Sequence, residues 1–377
     1  MNVHAIQSYE TMAELKALSA VKHHMISPQE SKPNIAIVQD ALLGSYLMTK
    51  GNEKITQKDF YNISLHGERP DGSPLWNPQR IKTINNVMKK FGKETRAYSG
   101  KGLISLVLPE DFYYENHNKA SEKEPTVKIF KGVLYEGTLN KIVLGKVHNS
   151  IIQVLNKEYG ADIAANFVDN MQFMANNWLL VHGFSVGLED CMITDKENVQ
   201  TIKDTLVQYY TKAQGVEAST QNPGIREVRI TATLSQAKDI GMRIAKDAMN
   251  ETNNFLSTVG AGSKGDFFNI AQLTGLLGQQ NLNGKRVKFN MNHEKRTLPH
   301  YPFEGLTKER EYESRGFIRH SFIHGLNPQE FFFHAMSGRE GVCDELYVVS
   351  LKANCLVRVT RVNSIFLLVA ILRRDTL

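Results

Sequence analysis

What the chain has little of narrows its class before any motif is read. Its three cysteines, Cys191, Cys343 and Cys355, form no C-x-x-C pair in 377 residues. That argues against a disulfide framework or a zinc ribbon and for a reducing compartment. Long apolar runs are missing too. The longest, Ile365–Leu372, is far short of the roughly 20 residues a membrane span needs. Met1–Glu10 is polar and lacks the apolar region of a signal peptide. No internal repeat and no low-complexity tract appears. No Ser-His-Asp, Cys-His or paired-carboxylate set stands out as a self-contained catalytic site.

What is present is ordinary globular material, 41% hydrophobic and 22% charged, enough for two or three cores. The net charge of +6 and pI of about 9.0 suit a polyanionic partner without establishing one. The most organised stretch is Gly325–Gly341, GLNPQEFFFHAMSGREG. Asn327 reads as a helix N-cap, Pro328 as the first helical residue, and Glu330 as the carboxylate that reaches back to the cap. Phe331–Phe333 are too many for one narrow stripe, which predicts a helix enclosed on several sides. Gly338 and Gly341 inside it imply a close neighbour or a bend.

Upstream, Ile35–Val38 reads as a short buried strand, and Gly102–Leu108 and Lys128–Leu144 as β-like runs. Glu115–Thr126 reads as a solvated loop. Ile163, Phe167, Met171, Met174 and Trp178 fall on one helical face that ends at Gly183. Trp178 is assigned to core packing rather than base stacking. Thr194–Glu197 reads as a capping box for a helix carrying Val199, Ile202, Leu206 and Tyr209. Pro223-Gly224 reads as a turn, followed by a helix with Ile230, Leu234, Ala237, Ile244 and Ala248.

These segments together carry a resemblance. G-L-x-P-x-E-F-F-F-H-A-M-x-G-R-E-G is similar to the opening half of the bridge helix in the largest (β′-like) subunit of multisubunit DNA-directed RNA polymerases, of the eukaryotic or large-DNA-virus type. Met1, Asn2, His4, Gln7 and Ser8 resemble the M-N-x-H-x-x-Q-S that follows the family's aspartate motif. Tyr98–Lys101 resembles W-S-G-K, and Asn177–Asp190 the pattern W-L-x-x-x-G-F-S-x-G-x-x-D. Val259–Val287, Arg296–Tyr301 and Glu313–Ile318 follow in the family's order.

The resemblance implies an α+β multidomain fold. Residues 1–44 would end the active-site β-barrel region, and 45–158 would form a β-rich pore domain. Residues 159–258 would be a helical funnel domain, 259–324 a cleft segment and 325–342 the first half of the bridge helix, leaving 343–377 unmatched. It implies nucleotidyl transfer, with the RNA 3′ hydroxyl attacking the α-phosphate of an incoming NTP under two-metal catalysis. Mg2+ would be held by aspartates outside this chain, and Zn2+ would sit elsewhere in the full subunit, none of it here. Expected partners are the second-largest and other polymerase subunits, the DNA template, the RNA product and NTPs, with no membrane. The compartment would be the nucleus for a cellular source, or the host cytoplasm or virion for a virus.

Within that frame each candidate residue has a plainer reading beside it. Gly260–Gly265, GAGSKG, fails as an NTPase P-loop because Lys264 is followed by Gly265 rather than Ser or Thr. It is either a flexible turn or, as the resemblance implies, a turn whose Lys264 meets triphosphate. Gln279, Gln280, Lys285 and Arg286 are either a solvated charged face or a nucleic-acid lining. Arg296–His300 reads as packing. His334, Gly338, Arg339 and Glu340 are assigned beside the catalytic site, with structural pairing as the alternative. His320 and His324 are four apart and would share a helix face, but no third metal ligand is evident.

After Val342 the family pattern I-D-T-A-V-K-T-A-E is replaced by CDELYVVSL. This leads to the expectation of a split gene, interrupted by an intron, an intein or a similar element, with 343–377 as read-through. The chain alone is then expected to be inactive. The alternative is a non-catalytic fragment that serves only as a structural or nucleic-acid-binding piece of a polymerase assembly.

Overall fold

The computed structural model describes residues 3–51, 54–91, 97–116, 126–193, 196–239, 242, 252–302 and 304–348. The chain divides into two compact units, Met1–Asp190 with Met249–Asp266, and Cys191–Ala248 with Phe267–Leu377. Both mix helix with a little antiparallel strand.

In the first unit the principal elements are α1 (Gln39–Thr49), α2 (Gln57–Ser64), α3 (Pro78–Lys90), α4 (Gly100–Val107), strands β1 (Tyr114–Asn116), β2 (Val127–Phe130) and β3 (Val133–Glu136), then α5 (Ile151–Glu158) and α6 (Ala161–His182). The strands form one antiparallel sheet in the order β1-β2-β3. The expected β-rich character of 45–158 is therefore corrected. Among the described residues it is mainly helical, with this one sheet. Gly102–Leu108 is helix, not strand: the Ser99 hydroxyl accepts from the Gly102 amide at 3.2 Å and caps α4. Every residue of α4 is buried, so its apolar run has no period to separate helix from strand. Ile35–Val38 is not a strand either; Ile37 is buried and donates one backbone hydrogen bond to Leu144. The loop expected at Glu115–Thr126 is strand at its start, and its residues 117–125 lie outside the described ones.

The core of this unit is built on α6. Phe167, Met171, Met174 and Trp178 are buried along one face, as the spacing predicts, and Gly183 ends the helix at φ +74°. Helix α1 crosses α6 closely at Gly44, where a Cβ would stand 2.9 Å from the Ala175 carbonyl oxygen. Arg80 on α3 is fully buried. Its guanidinium donates to the carbonyls of Ser105 (2.8 Å), Gly132 (3.0 Å), Lys131 (3.3 Å) and Leu108 (3.4 Å). It thereby ties α3 to the end of α4 and to the β2–β3 turn, and burial pulls its pKa down.

The second unit begins with α7 (Lys196–Ser219) and α8 (Pro223–Ser235), which pack together. Pro223-Gly224 is the first turn of α8, not a free turn, because the Asn222 side chain accepts from the amides of Gly224 and Ile225. Thr194, Ile244 and Ala248 lie outside the described residues. Ile202, Tyr209, Ile230 and Leu234 form a core with Leu276, Tyr312 and Phe317. The chain then visits the first unit as α9 (Asn254–Ala261). It returns as α10 (Phe267–Thr274), β4 (Gly278–Gln279), β5 (Asn281–Leu282), β6 (Lys285–Arg286), α11 (Lys308–Ser314) and β7 (Phe317–Ile318). Strands β4 and β7 pair, as do β5 and β6. The β5–β6 turn has positive φ at both Asn283 and Gly284, the geometry an Asn-Gly hairpin turn favours. A last helix, α12, covers 328–348.

Helix α12 starts as its capping residues predict. Asn327 accepts from the Glu330 amide at 2.8 Å, and Glu330 accepts from the Asn327 amide at 3.1 Å. Its enclosure is corrected: Phe333 is 1% exposed, but Phe331 and Phe332 are 63% and 52% exposed. The helix continues unbroken through Gly338 and Gly341, where an added Cβ would meet nothing among the described atoms.

Candidate nucleotide and nucleic-acid interface

The first unit presents the GSKG turn on a fixed base. Asn253 caps α9, accepting from the Leu256 amide at 3.0 Å, and its own amide group donates to the Asp190 carbonyl at 2.8 Å. The Asp190 carboxylate accepts from the amides of Asn254 (3.0 Å) and Gly187 (2.9 Å), while the Asn254 side chain donates to the Ser185 carbonyl. The G-F-S-x-G-x-x-D segment thus clamps the loop after α6 to the start of α9. At the other end of α9, Gly262 adopts φ +73° and its amide closes the helix on Thr258 and Val259. A Cβ on Gly262 would lie 2.6 Å from the Lys141 Cβ. Only glycine therefore lets the Lys141 side chain pass over this turn.

Lys141 and Lys264 are both exposed, on two elements that meet at Gly262. Lys50, from the end of α1, donates to the Ser257 hydroxyl on α9 at 3.3 Å. The sequence pointed to Lys264 but not to Lys141. The signal for Lys141 was only a glycine far along the chain, and a contact across that separation has no local signature.

In the second unit the basic cluster separates. Lys285 is exposed, but Arg286 is 4% exposed and sits on Glu227 of α8 as a two-pronged pair, at 2.7 and 2.6 Å. Arg315 joins the same carboxylate at 2.9 Å. Burial works against ionisation of Glu227, but the hydrogen bonds and charges of the two arginines outweigh it and hold its pKa below the ordinary value. Arg286 is committed to this pair rather than offered to a phosphate. Gln279 and Gln280 are buried as well. The Gln279 side-chain amide donates to the backbone carbonyls of Gln280 (2.8 Å) and Arg315 (2.9 Å), and the Gln280 side-chain oxygen Oε1 lies 3.3 Å from His334 Nδ1. Thr297 and Leu298 are buried and Arg296 donates to the carbonyls of Pro299 and Tyr301, whereas Pro299 and His300 are exposed.

On α12 the four candidates divide likewise. Gly338 and Arg339 are exposed. His334 is half-buried beside Gln280 and the Phe322 ring, and burial, with Lys238 adding, lowers its pKa. Glu340 accepts from the Asn283 amide at the tip of the β5–β6 hairpin. His320 and His324 do not share a helix face, because 319–324 is not helical. His320 Nδ1 bonds the Glu330 carboxylate at 2.8 Å, and His324 bonds the Ser321 hydroxyl at 2.8 Å.

Residues 24–191 match the family model described as RNA polymerase Rpb1, domain 3, and residues 207–318 match RNA polymerase Rpb1, domain 4. The chain belongs to the Rpb1 family. It is 43% identical over 366 residues to "Probable DNA-directed RNA polymerase II subunit RPB1 homolog" of Invertebrate iridescent virus 6, covering 91% of this chain and 34% of that protein. It is 32% identical over 362 residues to "DNA-directed RNA polymerase II subunit RPB1-B" of Trypanosoma brucei brucei, covering 91% of this chain and 19% of that protein. The chain thus spans about a third of the first of these Rpb1 relatives and about a fifth of the second. The domain 3 match closes beside Asp190, where the first unit also closes before its return at α9. Both matched Rpb1 segments end before α12. Among the described residues no group of three His, Cys, Asp or Glu side chains could hold a metal ion, and no helix is long and apolar enough to cross a membrane.

Proposed function

We propose that this chain is part of the catalytic largest subunit of a DNA-directed RNA polymerase, making RNA from NTPs on a DNA template, and that it lines the nucleotide entry channel and the active-site cleft. The observation that carries this reading is the 43% identity to the iridescent virus protein over 91% of the chain. In this reading the turn at 260–265 meets the incoming triphosphate. Lys264 and Lys141 supply the countercharge, and the Asp190–Asn253–Asn254 clamp holds the turn still. Two ammonium groups on a fixed base bind phosphate as point charges, without reading the base.

Helix α12 is then the opening part of the bridge helix. Gly338 and Arg339 form its open face beside nucleic acid, whereas His334 and Glu340 are positioning residues that hold it to the β4–β6 segment. Lys285 remains a phosphate contact; Arg286, Gln279 and Gln280 shape the segment from inside. The domain names follow the same order, from the end of the active-site domain through pore, funnel and cleft segments to the bridge helix. In this reading the metal chemistry of the reaction belongs to aspartates outside this chain. Partners are the second-largest and other polymerase subunits, template DNA, product RNA and NTPs. Purification from the native source tests the reading. Co-purification with a second-largest subunit and with RNA synthesis is the expected result, and isolation as a free monomer would overturn it.

A further inference from the structure

Lys238 lies just beyond the end of α8 and is half-buried. Its stem crosses β4 at Gly278, where φ is +76° and an added Cβ would stand 2.8 Å from the lysine Cγ and 3.2 Å from its Cε. Only glycine leaves that passage open, as Gly262 does for Lys141. The crossing brings Nζ to the first turn of α10, 5.3 Å from the centroid of the Phe268 ring.

The ring is the one contact this ammonium makes among the described residues. No carbonyl, hydroxyl or carboxylate there hydrogen-bonds to it, and it forms no ion pair. Asp239, its exposed neighbour in the chain, acts on it only through space. A ring face replaces lost hydration only in part. Burial therefore lowers the Lys238 pKa against the opposing pull of Asp239. Its free amine is then more abundant near neutral pH than that of a fully hydrated lysine.

The same charge reaches α12. Together with burial it lowers the pKa of His334, whose Nδ1 bonds the Gln280 side chain at 3.3 Å. A cation held without a carboxylate partner beside a second basic group makes a desolvated, nucleophilic lysine.

We propose that Lys238 is an acylation site that takes an acyl group from a small thioester, and that its acylation is felt by α12 at His334. The amine, having given one proton to solvent, attacks the thioester carbonyl carbon. The N–C bond forms, the C–S bond breaks, and the thiolate leaves with the second proton from nitrogen. The product is a neutral amide, which removes the cation from Phe268 and leaves His334 with burial alone acting on it. This site is independent of the polymerase reading, in which Lys238 has no part.

The test is timed acetylation of the full chain with S-acetyl-N-acetylcysteamine, a small uncharged thioester, read lysine by lysine by peptide mass spectrometry. Near neutral pH, Lys238 should react at least about threefold faster than the exposed Lys264 and Lys285. Its pH–rate curve should reach half of its plateau below the ordinary lysine value of 10.5. In concentrated urea the advantage should vanish, because the fold creates it. The proposal would be overturned by Lys238 reacting no faster than the exposed pair, by a half-plateau at or above the ordinary value, or by an advantage that survives urea. NMR titration of the His334 imidazole supplies the second arm. Lys238→Gln, which stands in for the neutral amide, should raise the His334 midpoint, and Lys238→Arg, which keeps the charge, should leave it in place. An unmoved midpoint in Lys238→Gln, or equal movement in both variants, would overturn the link to α12.

Discussion

Lys264 in the first unit and Arg286 in the second both follow short glycine-bearing turns in basic surroundings, and both lie in the segment that resembles polymerase cleft sequence. Their environments are opposite. Lys264 is exposed, on a turn whose glycine makes room for another exposed lysine, Lys141. Arg286 is buried under a carboxylate from α8 that also binds Arg315. The difference lies in the partner. A basic residue becomes a ligand contact only where no carboxylate from elsewhere in the fold has claimed it, and that carboxylate can be far away in sequence, as Glu227 is. In the first unit Lys264 and Lys141 are held out on a fixed base, whereas in the second Arg286 and Arg315 serve as internal fasteners.

This contrast is broken most forcefully at Glu227. Glu227→Ala leaves Arg286 and Arg315 without their shared carboxylate and should cost about 3 kcal/mol of stability by urea unfolding. The same pair sets an acid limb. Because the folded pKa of Glu227 is held below its ordinary value of 4.5, its contribution is fully present above that pH. It is lost as pH falls through the lower folded value, when the carboxylate takes up its proton. Unfolding midpoints measured from pH 6 down to about pH 3 should fall more steeply in wild type than in Glu227→Gln. Equal slopes would mean that the pair is not coupled to folding.

The base under the first unit's turn is probed at Gly262 and Asp190. Gly262→Ala forces a side chain into φ +73° and against Lys141, and should cost about 2 kcal/mol. A thermal scan showing no loss would place the turn elsewhere. Asp190→Ala, which removes an acceptor from the amides of Gly187 and Asn254, should cost about 1.5 kcal/mol. Lys264→Ala is the smallest in stability, within about 0.5 kcal/mol of wild type, because the side chain is exposed.

Several parts of this arrangement are legible in the sequence. The face of α6 through Phe167, Met171, Met174 and Trp178, its stop at Gly183 and the reciprocal cap of α12 all follow from local spacing, and each is present. What could not be read locally is what depends on distant partners. Helix α4 looked like strand because every side chain in it is buried and its apolar run carries no period. The phenylalanines of α12 looked enclosed because a sequence shows hydrophobicity but not what covers it; Phe333 is covered and Phe331 is not. His320 carries no local sign of its role, because it is the partner of Glu330, the residue that caps α12. Lys141 has no local signature, because the turn that reaches it does so only through the fold.

The central claim, that the turn at 260–265 and Lys141 present cations to incoming triphosphate, is tested most directly in the assembled polymerase carrying this chain. Steady-state RNA synthesis would be measured against NTP concentration for wild type and for Lys141→Ala with Lys264→Ala. The account predicts that the double variant raises the KM for NTPs about tenfold, the loss of two exposed phosphate contacts at about 0.7 kcal/mol each. It also predicts unchanged thermal stability and a weaker dependence of KM on salt. An unchanged KM in a stably assembled enzyme would contradict it.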